Sequence, residues 1–237
     1  MNFREKLKEI FGKHNISLSD KQAENFEKYY ENLIKINQIH NLTAITEEND
    51  VIYKHFLDSV LPVGELNNNS KILDIGCGAG FPSIPLAIMN NTLKIIAIDS
   101  VGKKVDFVNN TAQILDISQN IQAKHTRIED LARKSEYREQ FDYVVSRAVA
   151  PLNIILEYSA PFLKNNGYII SYKGSNYEEE LKNSENALKL LNCKLENVKE
   201  YSLPDINTTR YVLIIKKIDN ISTKYPRSQN KPRTNPL

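Results

Sequence analysis

Hydrophobic positions along the chain follow two rhythms. Over residues 1–65 they return at helical spacing: Phe26, Tyr29, Tyr30, Leu33 and Ile36 fall on one face of a predicted helix. Ser19-Asp20-Lys21-Gln22 precedes them, and a hydroxyl followed three residues on by an amide reads as a capping box. Thr46 is expected to cap a further helix that carries Val51, His55, Phe56 and Val60. Gly64 and the polar run Asn67-Asn68-Asn69-Ser70 then break the pattern. From Lys71 onward short apolar runs alternate with helical stretches. Strands are predicted at 72–75, 94–98, 121–126, 143–145, 168–171 and 211–215. Helices are predicted at 84–89, 101–115, 154–163 and 178–191. Strands separated by helices of this length imply a mostly parallel sheet, an α/β fold. The expected organisation is a helical extension (1–66), an α/β domain (67–220) and a tail (221–237) whose Pro226, Pro232 and Pro236 oppose regular structure.

Composition excludes several classes. With 237 residues, 41% hydrophobic and 25% charged, the chain can bury a substantial core unaided. No run of about 18 apolar residues exists to span a membrane. The mixed charges of the first nine residues lack a signal-peptide core. Cys77 and Cys193, far apart, suggest free thiols in a reducing compartment, and the cytoplasm is the expected location. No His/Cys/Asp group has metal-ligand spacing, so no metal is expected. The net charge of +2 says little, but its distribution is uneven. Residues 1–65 hold eight basic against eleven acidic side chains, whereas the tail holds Lys224, Arg227, Lys231 and Arg233 and no acid. A basic end on a near-neutral body points to a polyanion.

The candidate chemistry centres on Asp74-Ile75-Gly76-Cys77-Gly78-Ala79-Gly80-Phe81-Pro82, between the first predicted strand and its helix. Glycines there let the chain turn sharply and bring a ligand against the main chain. The following helix start favours an anionic group. Dinucleotide sites use G-x-G-x-x-G, but here the glycines fall as G-x-G-x-G, and no P-loop sequence occurs. The second strand ends in Asp99, 23 residues after Gly76, where a carboxylate can accept hydrogen bonds from ribose hydroxyls.

This order of features resembles the class I S-adenosylmethionine methyltransferases. Asn41-Leu42-Thr43, His55-Phe56-Leu57-Asp58-Ser59, Asp74 to Pro82, Asp99-Ser100, Ser146-Arg147-Ala148-Val149-Ala150, Lys173-Gly174 and Lys224-Tyr225-Pro226-Arg227 extend the match over nearly the whole chain. Together they resemble the 16S ribosomal RNA guanine-N7 methyltransferase G family, also called glucose-inhibited division protein B. The resemblance implies S-adenosylmethionine as cofactor and 16S ribosomal RNA or the small ribosomal subunit as partner. It implies that Gly76, Gly78 and Phe81 border the cofactor and that Asp99 holds its ribose. Ile128 and Glu129 would meet the adenine, and Arg147 would stand at the cofactor and target base. Each residue also has a plainer reading: Phe81 packing a helix start, Glu129 as a helix-start acid, Arg147 in a structural ion pair. His55 and Asp58, three apart, share either a helix face near the site or a capped surface contact.

The segment after the fourth strand, Ser146-Arg147-Ala148-Val149-Ala150-Pro151, lacks the Asn-Pro-Pro-Tyr type of motif used on exocyclic amines. No Pro-Cys pair supplies a nucleophile for carbon methylation. Guanine N7 has an in-plane lone pair and no proton, so attack there needs alignment and no general base. Lys224, Tyr225, Arg227, Lys231 and Arg233 are the expected RNA contacts, with Tyr225 stacking on a base. The alternatives are a class I methyltransferase for a small molecule or protein, and a non-catalytic RNA-binding or ribosome-assembly module.

Overall fold

A computed structural model describes all 237 residues. The sheet has seven strands in the order β3-β2-β1-β4-β5-β7-β6. They are β1 (Lys71–Ile75), β2 (Lys94–Asp99), β3 (Ile121–His125), β4 (Phe141–Arg147), β5 (Leu163–Lys173), β6 (Cys193–Leu203) and β7 (Thr208–Lys217). The first five run parallel, while β7 is antiparallel to both β5 and β6. Successive side chains on a strand alternate between faces. Ile72, Val145 and Ile170 accordingly enter one core, and Leu73, Val144 and Ile169 enter the other. The order of strands reverses between β1 and β4, which opens a crevice at their carboxyl ends.

The first core is roofed by α1 (Phe3–Lys13) and α2 (Asp20–His40), together with α5 (Ser83–Met89) and α6 (Gly102–Ile114). The capping box at Ser19 and Gln22 is formed as expected. Phe26, Tyr29 and Leu33 of α2 are fully buried. Gln22 reaches the Met89 carbonyl at 3.1 Å, and the Tyr29 hydroxyl donates to the Ala79 carbonyl at 2.6 Å. The N-terminal helices thus share one core with the sheet and are bonded to the glycine loop.

Thr46 does not cap a helix. The next helix, α3 (Glu48–Val51), has Glu47 at its cap position with no side-chain bond. It passes through a π-helical turn, Ile52–Leu57, into α4 (Asp58–Val60). Such turns recur at functional sites because they re-aim side chains. Here the turn carries Lys54 and His55, and Asp58 follows directly.

The second core lies under α8 (Leu152–Ser159) and α10 (Glu185–Leu190). The helix expected over 178–191 is two helices, α9 (Tyr177–Lys182) and α10. The Ser184 hydroxyl between them is buried and bonds the Glu180 carbonyl at 2.6 Å. A short α7 (Ile128–Leu131) follows β3, and a four-residue α11 (Lys231–Thr234) lies within the expected tail. No helix is long and apolar enough to cross a membrane.

Candidate active site

The glycine loop leaves β1 with Gly76, Gly78 and Gly80 all at positive φ. At Gly76 (φ +73°) a Cβ would stand 2.7 Å from a Val149 methyl. At Gly80 (φ +96°) it would stand 2.5 Å from Ile84 and 3.1 Å from the Tyr29 hydroxyl. These two positions exclude any side chain on conformation and space together. Beneath the loop Asp74 is fully buried and accepts from the Ser83 hydroxyl. Burial pushes its carboxyl up to about 7, against the opposing influence of the Ser83 hydrogen bonds and Arg147. Asp99 closes the loop from β2. One of its oxygens accepts from Gly78 N at 3.0 Å, the other from Val101 N at 2.9 Å.

A cavity of about 500 Å³ opens at this end of the sheet. Gly76, Ile98, Asp99, Ile128, Glu129 and Val149 are on its wall. Its size suits a nucleoside-sized ligand. Aliphatic Ile98, Ile128 and Val149 offer surface for a purine, and the Asp99 and Glu129 carboxylates offer acceptors for hydroxyl and amino groups. The residues present therefore fit an adenosyl cofactor. Gly78 and Phe81 do not line this wall. The Gly78 N–H is occupied by Asp99. The Phe81 side chain is buried among Tyr29, Phe56 and His55, with centroids 5.3, 6.1 and 4.2 Å away.

A second cavity, of about 610 Å³, shares the Ala148-Val149 wall with the first. Ala148 sits at φ +56°, a left-handed conformation costly for a residue with a Cβ and characteristic of functional sites. On the far side of this wall the end of β4 presents Arg147. Its Nη1 donates to the Lys54 carbonyl at 2.9 Å and to Asp58 at 2.7 Å, and its Nη2 donates to His55 Nδ1 at 3.0 Å. The guanidinium lies 5.2 Å from the Phe81 ring centre. Arg147 and Asp58 side chains are only 12% and 8% exposed, so this is a buried pair. Arg210 Nε of β7 stands 3.2 Å from the other Asp58 oxygen, in ionic contact without the alignment of a hydrogen bond. Lys173, at the end of β5, pairs with Glu180 at 2.6 Å.

His55 is held neutral. Because Arg147 only donates, His55 Nδ1 accepts, and the proton is assigned to Nε2, which faces the Thr43 hydroxyl at 2.9 Å. Burial first, and the Arg147 charge second, push its pKa down to about 3. The unfolded chain protonates His55 near 6.5, and the folded chain does not until about 3. Stability is therefore lost as pH falls from 6.5, by up to about 1.4 kcal/mol per pH unit. Asp74 has the opposite sign, since its raised pKa makes stability fall as pH rises from 3.8 to about 7. Urea unfolding of the wild type and of His55→Gln between pH 7 and 4.5 separates the two contributions. The difference between the proteins should shrink steadily with acidity, and a pH-independent difference would contradict a neutral buried His55.

The expected RNA contacts divide. Tyr225 is 3% exposed, with its ring in the second core, so it does not stack on a base. Arg227 is paired with Glu157, whose side chain is 1% exposed, through Nε at 2.9 Å and Nη2 at 2.7 Å. It is not a phosphate contact. The tail is tied down because a buried carboxylate requires a partner. Lys224, Lys231 and Arg233 remain exposed. Sequence reasoning assigned no role to Lys54, Lys173, Arg210 or Thr43. Each joins the second cavity or its hydrogen bonds through strand pairing or the π turn, which local patterning does not register.

A model of the family described as rRNA small subunit methyltransferase G matches residues 22–210. A relative named ribosomal RNA small subunit methyltransferase G, from Thermoanaerobacter sp. (strain X514), is 49% identical over 217 residues, covering 91% of this chain and 90% of its own. One of the same name from Lactobacillus acidophilus is 42% identical over the full length of both chains. Among solved structures, M. jannaschii TYW2 in complex with AdoMet has a TM-score of 0.54 at 18% identity, covering 75% of this chain and 80% of that one, a likeness of fold.

Proposed function

We propose that this chain, which belongs to the rRNA small subunit methyltransferase G family, methylates N7 of a guanine in 16S ribosomal RNA. It is a small-subunit ribosomal RNA methyltransferase, and S-adenosylmethionine is its methyl donor. When bound, the cofactor supplies a sulfonium-activated methyl group. Gly76, Asp99, Ile128 and Glu129 hold its adenosyl part. The base approaches from the cavity beyond Ala148 and Val149, where Lys54, Arg147, Lys173 and Arg210 outnumber Asp58 and Glu180. That excess of positive charge suits a nucleotide and its phosphates.

The observation that carries the N7 reading is the state of the titratable acceptors on that cavity. His55 Nδ1 is occupied by Arg147 and its Nε2 by Thr43. Asp58 is committed to Arg147 and Arg210, and Glu180 to Lys173. Each already has a cationic or hydroxyl partner, although Asp58 Oδ1 lacks an aligned hydrogen bond. A nucleophile that must lose a proton, such as an exocyclic amine, is poorly served. Guanine N7 loses none and requires only alignment. Arg147, with its planar donor fork, suits guanine O6 or a phosphate, away from the ring charge that grows on N7.

The test is methyl transfer from labelled cofactor to small ribosomal subunits and to naked 16S RNA. The product should be cleaved by borohydride followed by aniline. The single-turnover rate should show no essential general-base pKa between about 6 and 8, the range in which a tuned base operates. Resistance to that cleavage, or a methyl group found on another atom by mass spectrometry, would remove N7 and leave the methyltransferase intact.

A further inference from the structure

We infer that the C-terminal segment is a strap that completes the cofactor pocket, with Arg233 as a cofactor-binding residue. This rests on the adenosyl reading of the 500 Å³ cavity. The segment is fastened at several points. Ile221, Tyr225, Pro226 and Pro232 are buried. Arg133 donates to the carbonyls of Thr223 at 2.7 Å and of Lys224 at 3.3 Å, and Arg138 donates to the Tyr225 carbonyl at 2.9 Å. The Glu157 carboxylate on α8 receives Arg227 through both its side chain and its backbone N–H, the latter at 2.7 Å. Arg227 in turn donates to the Asn235 carbonyl at 2.8 Å, which draws the last turn back over α8.

This route brings Asn230 and Arg233 to the first cavity. Asn230 and Arg233 stand on its wall with Gly76, Asp99, Ile128 and Glu129. Tyr158, the neighbour of Glu157 on α8, is on the same wall and places its hydroxyl 3.4 Å from Glu129. Arg233 thus shares one wall with the Asp99 and Glu129 carboxylates, as do Lys104 and Arg127. The Arg233 guanidinium can donate to ring-nitrogen or ribose-oxygen acceptors, or lie against a purine face. An arginine that serves only to meet RNA has no need of a strap tied down at the carbonyls of five successive residues, 222–226. The fastening leaves Arg233 exposed but holds it at the edge of the cleft.

Cofactor affinity and RNA affinity separate the two roles. The variants are Arg233→Ala and a chain shortened to residue 228, which keeps Arg227 and its Glu157 partner. Asp99→Ala is the reference for the cleft, and circular dichroism checks folding. Calorimetry with S-adenosylmethionine should show Kd raised about three- to tenfold by Arg233→Ala, the equivalent of one lost hydrogen bond. The shortened chain should lose more. Filter binding to 16S RNA without cofactor should show an unchanged logarithmic salt slope for Arg233→Ala. Unchanged cofactor affinity with a shallower salt slope would overturn the strap and make Arg233 a phosphate contact. Weakening by Asp99→Ala but not by Arg233→Ala would overturn the strap and keep the cleft. Absence of cofactor binding by the wild type would remove the cleft reading and the strap with it.

Discussion

Gly76→Val is expected to abolish detectable S-adenosylmethionine binding. Two effects act at one atom. The residue holds φ +73°, where a branched side chain is strained by about 1–3 kcal/mol. Its Cβ would also stand 2.7 Å from Val149, on the wall common to both cavities. The loop must shift, and the wall with it. Asp99→Ala acts on the same site more mildly. It removes a charged acceptor, an effect of about 1.5–3 kcal/mol, or roughly ten- to a hundredfold in Kd. Part of that loss is mechanical, because Asp99 also holds Gly78 N and Val101 N. Calorimetry on variants shown to be folded by urea titration decides the matter. Wild-type affinity in a folded Gly76→Val protein would take the loop out of the cofactor site.

Arg147→Ala should lower methyl transfer by about a hundredfold or more, the scale on which a misplacement near 1 Å acts. It should also destabilise the protein by about 3 kcal/mol, since removing one partner of a buried pair strands the other. Asp58 would keep only its unaligned contact with Arg210, and the Lys54 carbonyl would lose its donor. Arg147→Lys retains the charge but not the fork that reaches Asp58, Lys54 and His55 at once, so its activity should fall between the two. A readout independent of activity is the His55 titration. Arg147 is the second cause of its low pKa, so Arg147→Ala should raise it, measurable by NMR. Full turnover by Arg147→Ala would remove the residue from the reaction. An unmoved His55 pKa would separate it from the network.

Local pattern was enough for the parallel half of the fold. Strands β1 to β5 and helices α5 and α6 are marked by apolar runs, by spacing, and by glycines that no other residue can replace in that backbone. Gly76 and Asp99 could be placed together because in an open parallel sheet the loops at adjacent carboxyl ends meet in one crevice, whereas Ile128 and Glu129 were legible through the family resemblance. Elements with a weak local pattern owe it to where they sit in the fold. β6 carries Lys194, Glu196, Lys199 and Glu200 and is exposed or half-buried everywhere but at its two ends, as an edge strand is. It shows no apolar alternation to read. Thr46 had the chemistry of a cap, but the helix begins two residues later, without a side-chain bond.

The contacts that assign roles run between distant segments. Arg147 meets residues 89 and 92 positions away in the chain, through a π turn that nothing in the local sequence announces. Arg210 reaches Asp58 only because β7 returns antiparallel beside β5. The tail gave the largest difference. Its four basic side chains and three prolines have the composition of a solvated arm. Whether such a segment is ordered depends on what it is offered elsewhere, and here Glu157, Arg133 and Arg138 offer a buried carboxylate and two sets of donors. Composition states which charges a segment carries. Only the folded chain decides which of them find a partner of opposite sign and which are left to face a ligand.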